Sequence, residues 1–396
     1  MNSTSKILIV LAAIAVVIGV GVCYEMGTDD SDSGSAETGI IGHWYEVGFY
    51  GYNGETYSAS DIEETSTLNQ WDFTVTSYNE ADHSVRAVYQ DTIIVGSYSG
   101  NFLSFRLTTE SGSQWLNLFV DGNMMYGVNS RAVADDPKAF YVVYSADRNA
   151  AAPNQALLDL SGAWQSDVGM ALKDGQEVDR GASVLTISEQ KGMVFRGSIT
   201  LTAEGTVLQV IGAMTPTAAD GYYRAYMVCD DENWNVLIKD DNIVAVTTAN
   251  HNGTLMAVER SYVRDDGSGA EVAVPVLTGK TWHYQSSRYY YSSLFDYEIY
   301  ANMHLSVTKQ VGPLFQGTFS YGSTEMTGYG FCYGGDDAAI GFYAGTEEDF
   351  LFFYGTVRDG MMELIRWYGE GQNGSSTVTL TNRAQLADPT GYWMAI

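Results

Sequence analysis

The side chains here that could do chemistry are five histidines, three cysteines and a large excess of carboxylates. Their spacing argues against catalysis. His43, His83, His251, His283 and His304 show no His-x-x-x-His pattern, and no Cys-x-x-Cys accompanies them, so no metal site is expected. His43 and His283 stand beside tryptophans and read as packing residues at strand ends. A Gly-x-Ser-x-Gly elbow is absent, as is a phosphate-binding glycine loop. The acidic pairs Asp230-Asp231, Asp240-Asp241, Asp265-Asp266 and Asp336-Asp337 fall between apolar runs and read as solvated turns. No catalytic residue and no cofactor are expected. A hydrolase would need two carboxylates that converge only in the fold.

The aromatic residues point to recognition instead. Phe49, Tyr50, Tyr52 and Tyr57 cluster early in the chain, and Tyr289, Tyr290, Tyr291 and Phe295 cluster at the corresponding place in its last third. Tyrosine presents a large amphipathic surface at little conformational cost, which suits a glycan or a protein surface. The plainer reading is that these rings pad a long loop onto its own domain. The corresponding stretch in the middle of the chain, Met170 to Arg180, lacks aromatics, which argues for divergent ends rather than three copies of one site.

Charge limits the partners. A formal net charge of −28, from 48 acidic and 20 basic residues, makes nucleic acid a poor partner, since nothing would neutralise its phosphates. Residues 1–6 form a stub carrying Lys6, and an unbroken apolar run follows from Ile7 to Cys23. Segment 7–24 is long enough to cross a bilayer as a helix, and the lysine before it with acids after it places the bulk of the chain outside the cell. A cleaved signal peptide, which would leave the protein secreted, is the competing reading. Residues 25–39 are rich in Asp, Ser and Gly and read as an acidic flexible linker. Cys229 and Cys332 read as buried thiols, with a bridge between them as the sharper alternative.

The elements that would position these residues announce themselves by repetition. Ile40-Ile41-Gly42-His43-Trp44 is echoed by Leu160-Ser161-Gly162-Ala163-Trp164, by Leu277-Thr278-Gly279-Lys280-Thr281-Trp282 and by Thr390-Gly391-Tyr392-Trp393. The tryptophans lie about 110 to 120 residues apart, a domain-sized period. Within each unit the pattern is all-β. Met193 to Leu201 alternates apolar and polar, as does Phe315 to Tyr321, and the turns Gln190-Lys191-Gly192 and Gln310-Val311-Gly312 join neighbouring runs as hairpins. About eight strands per unit, with no crossover helices, predict an up-and-down meander closed on itself. The units are expected at 40–152, 158–266 and 275–384, with 389–396 opening a truncated fourth. Pro153, Pro275 and Pro389 in the joints predict a semi-rigid rod. The fold expected is thus three tandem eight-stranded antiparallel meander barrels after an N-terminal transmembrane helix. A β-propeller with two blades per unit is the rival architecture.

Arg148, Arg264 and Arg383 each follow their unit's tryptophan by about 100 residues, in what reads as the last strand. If first and last strands are neighbours, each guanidinium can lie over Trp44, Trp164 or Trp282 and close the barrel. A Gly-x-Trp on the first strand with an arginine on the last resembles the calycin superfamily of lipocalins, fatty-acid-binding proteins and avidins. Leu277-Thr278-Gly279-Lys280 and Phe315-Gln316-Gly317-Thr318-Phe319 resemble the avidin opening. Where avidins place a ligand-binding asparagine, two residues after the tryptophan, this chain has Glu46, Ser166 and Tyr284, so the resemblance implies the fold and not biotin binding.

The expectation is therefore a non-catalytic, membrane-anchored extracellular protein. It would bind an unknown ligand, glycan or protein surface through the aromatic loops of units one and three. A purely structural surface spacer and a hydrolase are the alternatives.

Overall fold

The computed structural model describes residues 39–52, 62–64, 72–80, 84–89, 91–99, 102–109, 112–133, 136–147, 158–215, 221–229, 232–251, 254–264, 272–285, 303–321, 324–335, 338–345, 350–358, 360–366 and 391–395. The membrane-span and linker expectations for residues 1–38 lie outside these. Among the described residues no helix is long and apolar enough to cross a membrane.

The described chain is all-β. Repeat one comprises β1 (Gly42–Tyr52), β2 (Ile62–Glu64), β3 (Phe73–Asn79), β4 (Ser84–Tyr89), β5 (Thr92–Ser99), β6 (Phe102–Thr109), β7 (Gly112–Asp121), β8 (Met124–Val133) and β9 (Asp136–Asp147). Repeat two comprises β10 (Gly162–Ser166), β11 (Gly169–Lys173), β12 (Gln176–Asp179), β13 (Ser183–Lys191), β14 (Val194–Leu201), β15 (Thr206–Met214), β16 (Tyr223–Cys229), β17 (Glu232–Lys239), β18 (Asn242–His251) and β19 (Thr254–Val263). Repeat three comprises β20 (Thr281–Gln285), β21 (Met303–Val311), β22 (Leu314–Tyr321), β23 (Thr324–Tyr333), β24 (Ala338–Gly345), β25 (Phe350–Arg358), β26 (Met361–Arg366) and β27 (Gly391–Ala395).

Repeat three is a closed eight-stranded barrel, β20 through β27 in chain order. The other two are antiparallel meanders that curl far enough for their end strands to meet. In repeat one β1 pairs with β3 through Trp44↔Phe73 and with β9 through Tyr50↔Val143. In repeat two β10 pairs with β13 through Trp164↔Leu185 and touches β19 at Gln165↔Val263, and β11 continues along β19. These ring-like pairings exclude the propeller.

Two expectations change here. β27 pairs with both β20 and β26, so Gly391–Ala395 completes repeat three instead of opening a fourth unit. Strand β2 and the short hairpin β11–β12 are additions to the expected strands.

Each repeat carries the same irregularity. The register slips between Val75 and Ser77, between Ile187 and Glu189, and between Val307 and Lys309. The residue looped out is Thr76, Ser188 or Thr308, and its hydroxyl donates to the carbonyl of Arg86, Arg196 or Gln316, 3.2 Å away in each case. A bulge bends its strand and increases its twist, which helps a sheet curl. Glycine gives the same help. A Cβ at Gly212 would land on the Phe195 ring, and one at Gly330 on the Phe315 ring, so each aromatic lies flat on a bare backbone across the strand pair.

The repeats share an apolar layer. Tyr50, Phe119 and Tyr126 of repeat one meet Tyr226 and Val228 of repeat two, and the layer continues to Tyr329 of repeat three. Phe119 stacks on Tyr126 with ring centroids 5.1 Å apart and lies 5.4 Å from Tyr226. β24 is buried at seven of its eight positions, the near-continuous apolar pattern of a strand covered on both faces. The repeats are thus not strung as separate beads along a proline-stiffened rod.

Candidate functional site

The tryptophan seal is clearest in repeat two. Trp164 is 1% exposed, and its indole N–H donates to the Leu160 carbonyl at 2.9 Å. The Arg264 guanidinium carbon lies 4.2 Å from the centroid of the Trp164 ring, and an Arg264 terminal nitrogen donates to the Asp159 carbonyl at 2.8 Å. Gly162 makes the bend before the tryptophan possible, since its φ of 110° is one that L side chains rarely adopt. Hydrogen bonds from Ser161, chiefly its backbone N–H, hold the Asp159 carboxyl below its usual range.

Repeat one copies half of this: Trp44 is buried and donates to the Ile40 carbonyl at 2.8 Å. Repeat three departs from it. One residue more separates Leu277 from Trp282, and the Trp282 indole N–H finds no partner among the described residues. The Lys280 ammonium stands 5.7 Å from its ring. Arg148 and Arg383 lie outside the described residues.

A second clamp was missed at the sequence level. The Gln190 amide accepts from Leu160 N–H at 2.8 Å and donates to the Leu158 carbonyl at 3.0 Å. Gln310 does the same with Leu277 N–H at 2.9 Å and the Pro275 carbonyl at 2.8 Å. Each holds the incoming chain onto a hairpin of its repeat, β13–β14 or β21–β22. The signal was present in the equivalent turns Gln190-Lys191-Gly192 and Gln310-Val311-Gly312.

The described interiors are filled. Trp164, Phe195, Met227, Trp234 and Tyr262 pack together in repeat two. In repeat three Phe342 stacks on Phe353 at 4.8 Å, beside Phe319. In repeat two a cation is buried among them. Arg260, 5% exposed, donates to the Gly181 carbonyl at 3.2 Å, to Ser183 Oγ at 2.9 Å and to the Arg180 carbonyl at 3.5 Å, and no carboxylate pairs with it among the described residues. Burial pushes the neighbouring Tyr262 hydroxyl up to about 12. Gly169 leaves room for the guanidinium, because a Cβ there would sit 2.7 Å from its Nη1. Arg260 therefore pins the base of the β11–β12 hairpin.

The tip of that hairpin docks on repeat three. The Tyr329 hydroxyl accepts from Asp174 N–H at 2.9 Å, and Lys309 reaches the Gly175 carbonyl at 2.7 Å and Glu177 at 3.6 Å. This hairpin is the Met170 to Arg180 stretch that lacks aromatics.

Of the aromatic candidates, Tyr50 is corrected. It is fully buried in the layer between repeats one and two, with the Arg196 guanidinium 5.6 Å from its ring, and not at a mouth. The register slip between Glu46 and Gly48 explains this, because one extra residue turns the following side chains to the opposite face. Phe49 and Tyr52 lie in β1 with side chains outside the described set, and Tyr57, Tyr289, Tyr290, Tyr291 and Phe295 lie outside the described residues altogether.

The remaining chemistry is sparse. Cys229 and Cys332 are free and buried in the interiors of different repeats, so no bridge joins them, and burial pushes the Cys332 thiol up. Among the described residues no group of three His, Cys, Asp or Glu side chains could hold a metal. Glu259, half-buried opposite Gly312 of repeat three, has its carboxyl raised by burial, against a 2.9 Å hydrogen bond from Ser261. Asp240 turns the chain between β17 and β18 with a φ of 51°, as a turn residue rather than a catalytic one.

No protein-family profile matches the chain, and no curated protein does. Among solved structures, one of unknown function from the DUF3598 family of Nostoc punctiforme PCC 73102 aligns over 57% of this chain and 96% of its own, at 11% identity and a TM-score of 0.26.

Proposed function

We propose that this protein is a non-catalytic recognition scaffold. Three calycin-like barrels would be held outside the cell by an anchor at residues 7–24 and bind a glycan or protein surface through the aromatic segments of repeats one and three. One observation carries this reading. The only one of the three corresponding segments that lacks aromatics is the β11–β12 hairpin, and it is engaged by Tyr329 and Lys309 of repeat three. The two aromatic segments, Tyr50 aside, are the ones left as candidates for recognition. Residues Phe49, Tyr52, Tyr57, Tyr289, Tyr290, Tyr291 and Phe295 remain the candidates; Tyr50 belongs to the packing. The filled interiors favour recognition on the outside over a ligand enclosed in a barrel.

The filled interiors also favour a second reading, a structural spacer at the cell surface. Glycan and protein arrays probed with the full chain separate the two. Recognition requires binding that disappears when Tyr289, Tyr290 and Tyr291 are changed together to serine without loss of folding. A folded protein that binds nothing above background supports the spacer. Protease accessibility on intact cells tests the anchor: the β-domains should be cut from outside, and protection of the whole chain would contradict it.

A further inference from the structure

The outer face of repeat three carries a pair of histidines that no part of the recognition reading uses. His283 on β20 and His304 on β21 are register partners, one residue beyond the buried Trp282↔Leu305 pair. Their ring centroids are 4.3 Å apart and their planes are inclined at 76°. The same step of repeat two holds Gln165↔Val184, so the repeat architecture does not demand imidazoles there.

One member of the pair is also unsatisfied. His43 of repeat one shows how this chain accommodates an outer-face histidine: Nδ1 lies 2.8 Å from Thr74 Oγ1 and Nε2 lies 3.5 Å from Asp72. His304 has no such arrangement, and its Nδ1 is buried without a hydrogen-bond partner among the described residues. Buried polar atoms are normally partnered, so an unpartnered nitrogen in a ring packed beside a second imidazole needs an explanation. Burial, and then the nearby His283, hold His304 below the usual histidine range.

We propose that His283 and His304 together hold a single cupric ion, their imidazoles in adjacent coordination positions and water in the others. The ring geometry favours this ion. A metal about 2 Å from one nitrogen of each ring, with a right angle between the two bonds, leaves the ring centroids roughly 4.4 Å apart. That is close to their present separation, whereas a tetrahedral angle would spread them further. Adjacent positions at right angles belong to the tetragonal shell of copper(II), which also binds nitrogen donors more tightly than the other divalent first-row ions. Zinc in a closed structural site takes four protein ligands, and no third His, Cys, Asp or Glu joins this pair among the described residues. The net charge of −28 favours any cation at this surface.

The test is titration of the full chain with copper(II), read by electron paramagnetic resonance and by competition with a chelator. The expected result is one tight equivalent with hyperfine coupling to two nitrogens, and roughly tenfold or greater weakening in His283→Gln and in His304→Gln. Circular dichroism checks that the variants fold. Carbethoxylation of the unaltered protein gives a readout free of substitution: copper should protect His283 and His304 and leave His83 and His251 reactive. Copper binding that is equal in wild type and variants, reactivity of His283 and His304 that copper does not change, or zinc held as tightly as copper would each overturn the proposal.

Discussion

Repeats two and three bury the same tryptophan at the same corner and close over it differently. In repeat two the indole N–H is bonded to the Leu160 carbonyl and a guanidinium covers the ring. In repeat three, among the described residues, the N–H is unbonded and the cation over the ring is the ammonium of the exposed Lys280, 5.7 Å away. The cause is one residue: Leu160 precedes its tryptophan by four positions and Leu277 by five. A carbonyl aimed at the indole from one spacing misses it from the other. The burial is common to both repeats; among the described residues the indole hydrogen bond is made in repeat two, as in repeat one, and is missing in repeat three.

That difference can be broken experimentally. The largest effect should come from Arg260, because repeat two pins its rim hairpin with this buried guanidinium. Arg260→Met removes three hydrogen bonds, one to the buried Ser183 hydroxyl and two to part-buried carbonyls, and should cost about 3 kcal/mol in chemical denaturation. It should also loosen the docking of Asp174 on Tyr329, seen as faster hydrogen exchange in β11 and β12. A cost indistinguishable from zero would remove the pin.

Next come the tryptophans themselves. Trp164→Phe leaves the Leu160 carbonyl unpaired and weakens the cation–π contact, and should cost about 2 kcal/mol more than Trp282→Phe, which loses volume alone. Equal costs would mean that the two seals do not differ.

The smallest effect concerns the contact between the repeats. Burial raises the folded-state pKa of Glu259 above its unfolded value, so its protonated form favours folding. The stability it contributes is complete below the unfolded pKa and is lost as pH rises through the folded one. Glu259→Gln should therefore match wild type at low pH and exceed it increasingly as the carboxylate ionises. A stability difference that does not change with pH would contradict the raised pKa.

Much of this could be read from the chain. The alternation of Met193 to Leu201 fixed a half-buried strand, and the recurring Gly-x-Trp marked where a repeat starts, because local pattern decides both. Three features escaped for physical reasons. Tyr50 turned out of its own barrel and against repeat two because the slip at Glu46 to Gly48 reverses the faces of β1, and a bulge has no period to betray it. Gly391–Ala395 looked like the start of another unit because its Gly-x-Trp echo is local, whereas its pairing with β20 joins residues more than a hundred positions apart. His283 and His304 showed no metal spacing because their proximity arises across strands and not along one. The closeness of the two rings, and the unpartnered Nδ1 of His304, appear only once the register is known.

The seal itself is tested most directly by two double-mutant cycles, one on Trp164 and Arg264 and one on Trp282 and Lys280. Each combines Trp→Phe with a change of the cation to Met and is followed by denaturant unfolding. Contact between ring and guanidinium predicts a coupling of about 1 kcal/mol for the first pair and about zero for the second. No coupling between Trp164 and Arg264, or equal coupling in both pairs, would contradict the account.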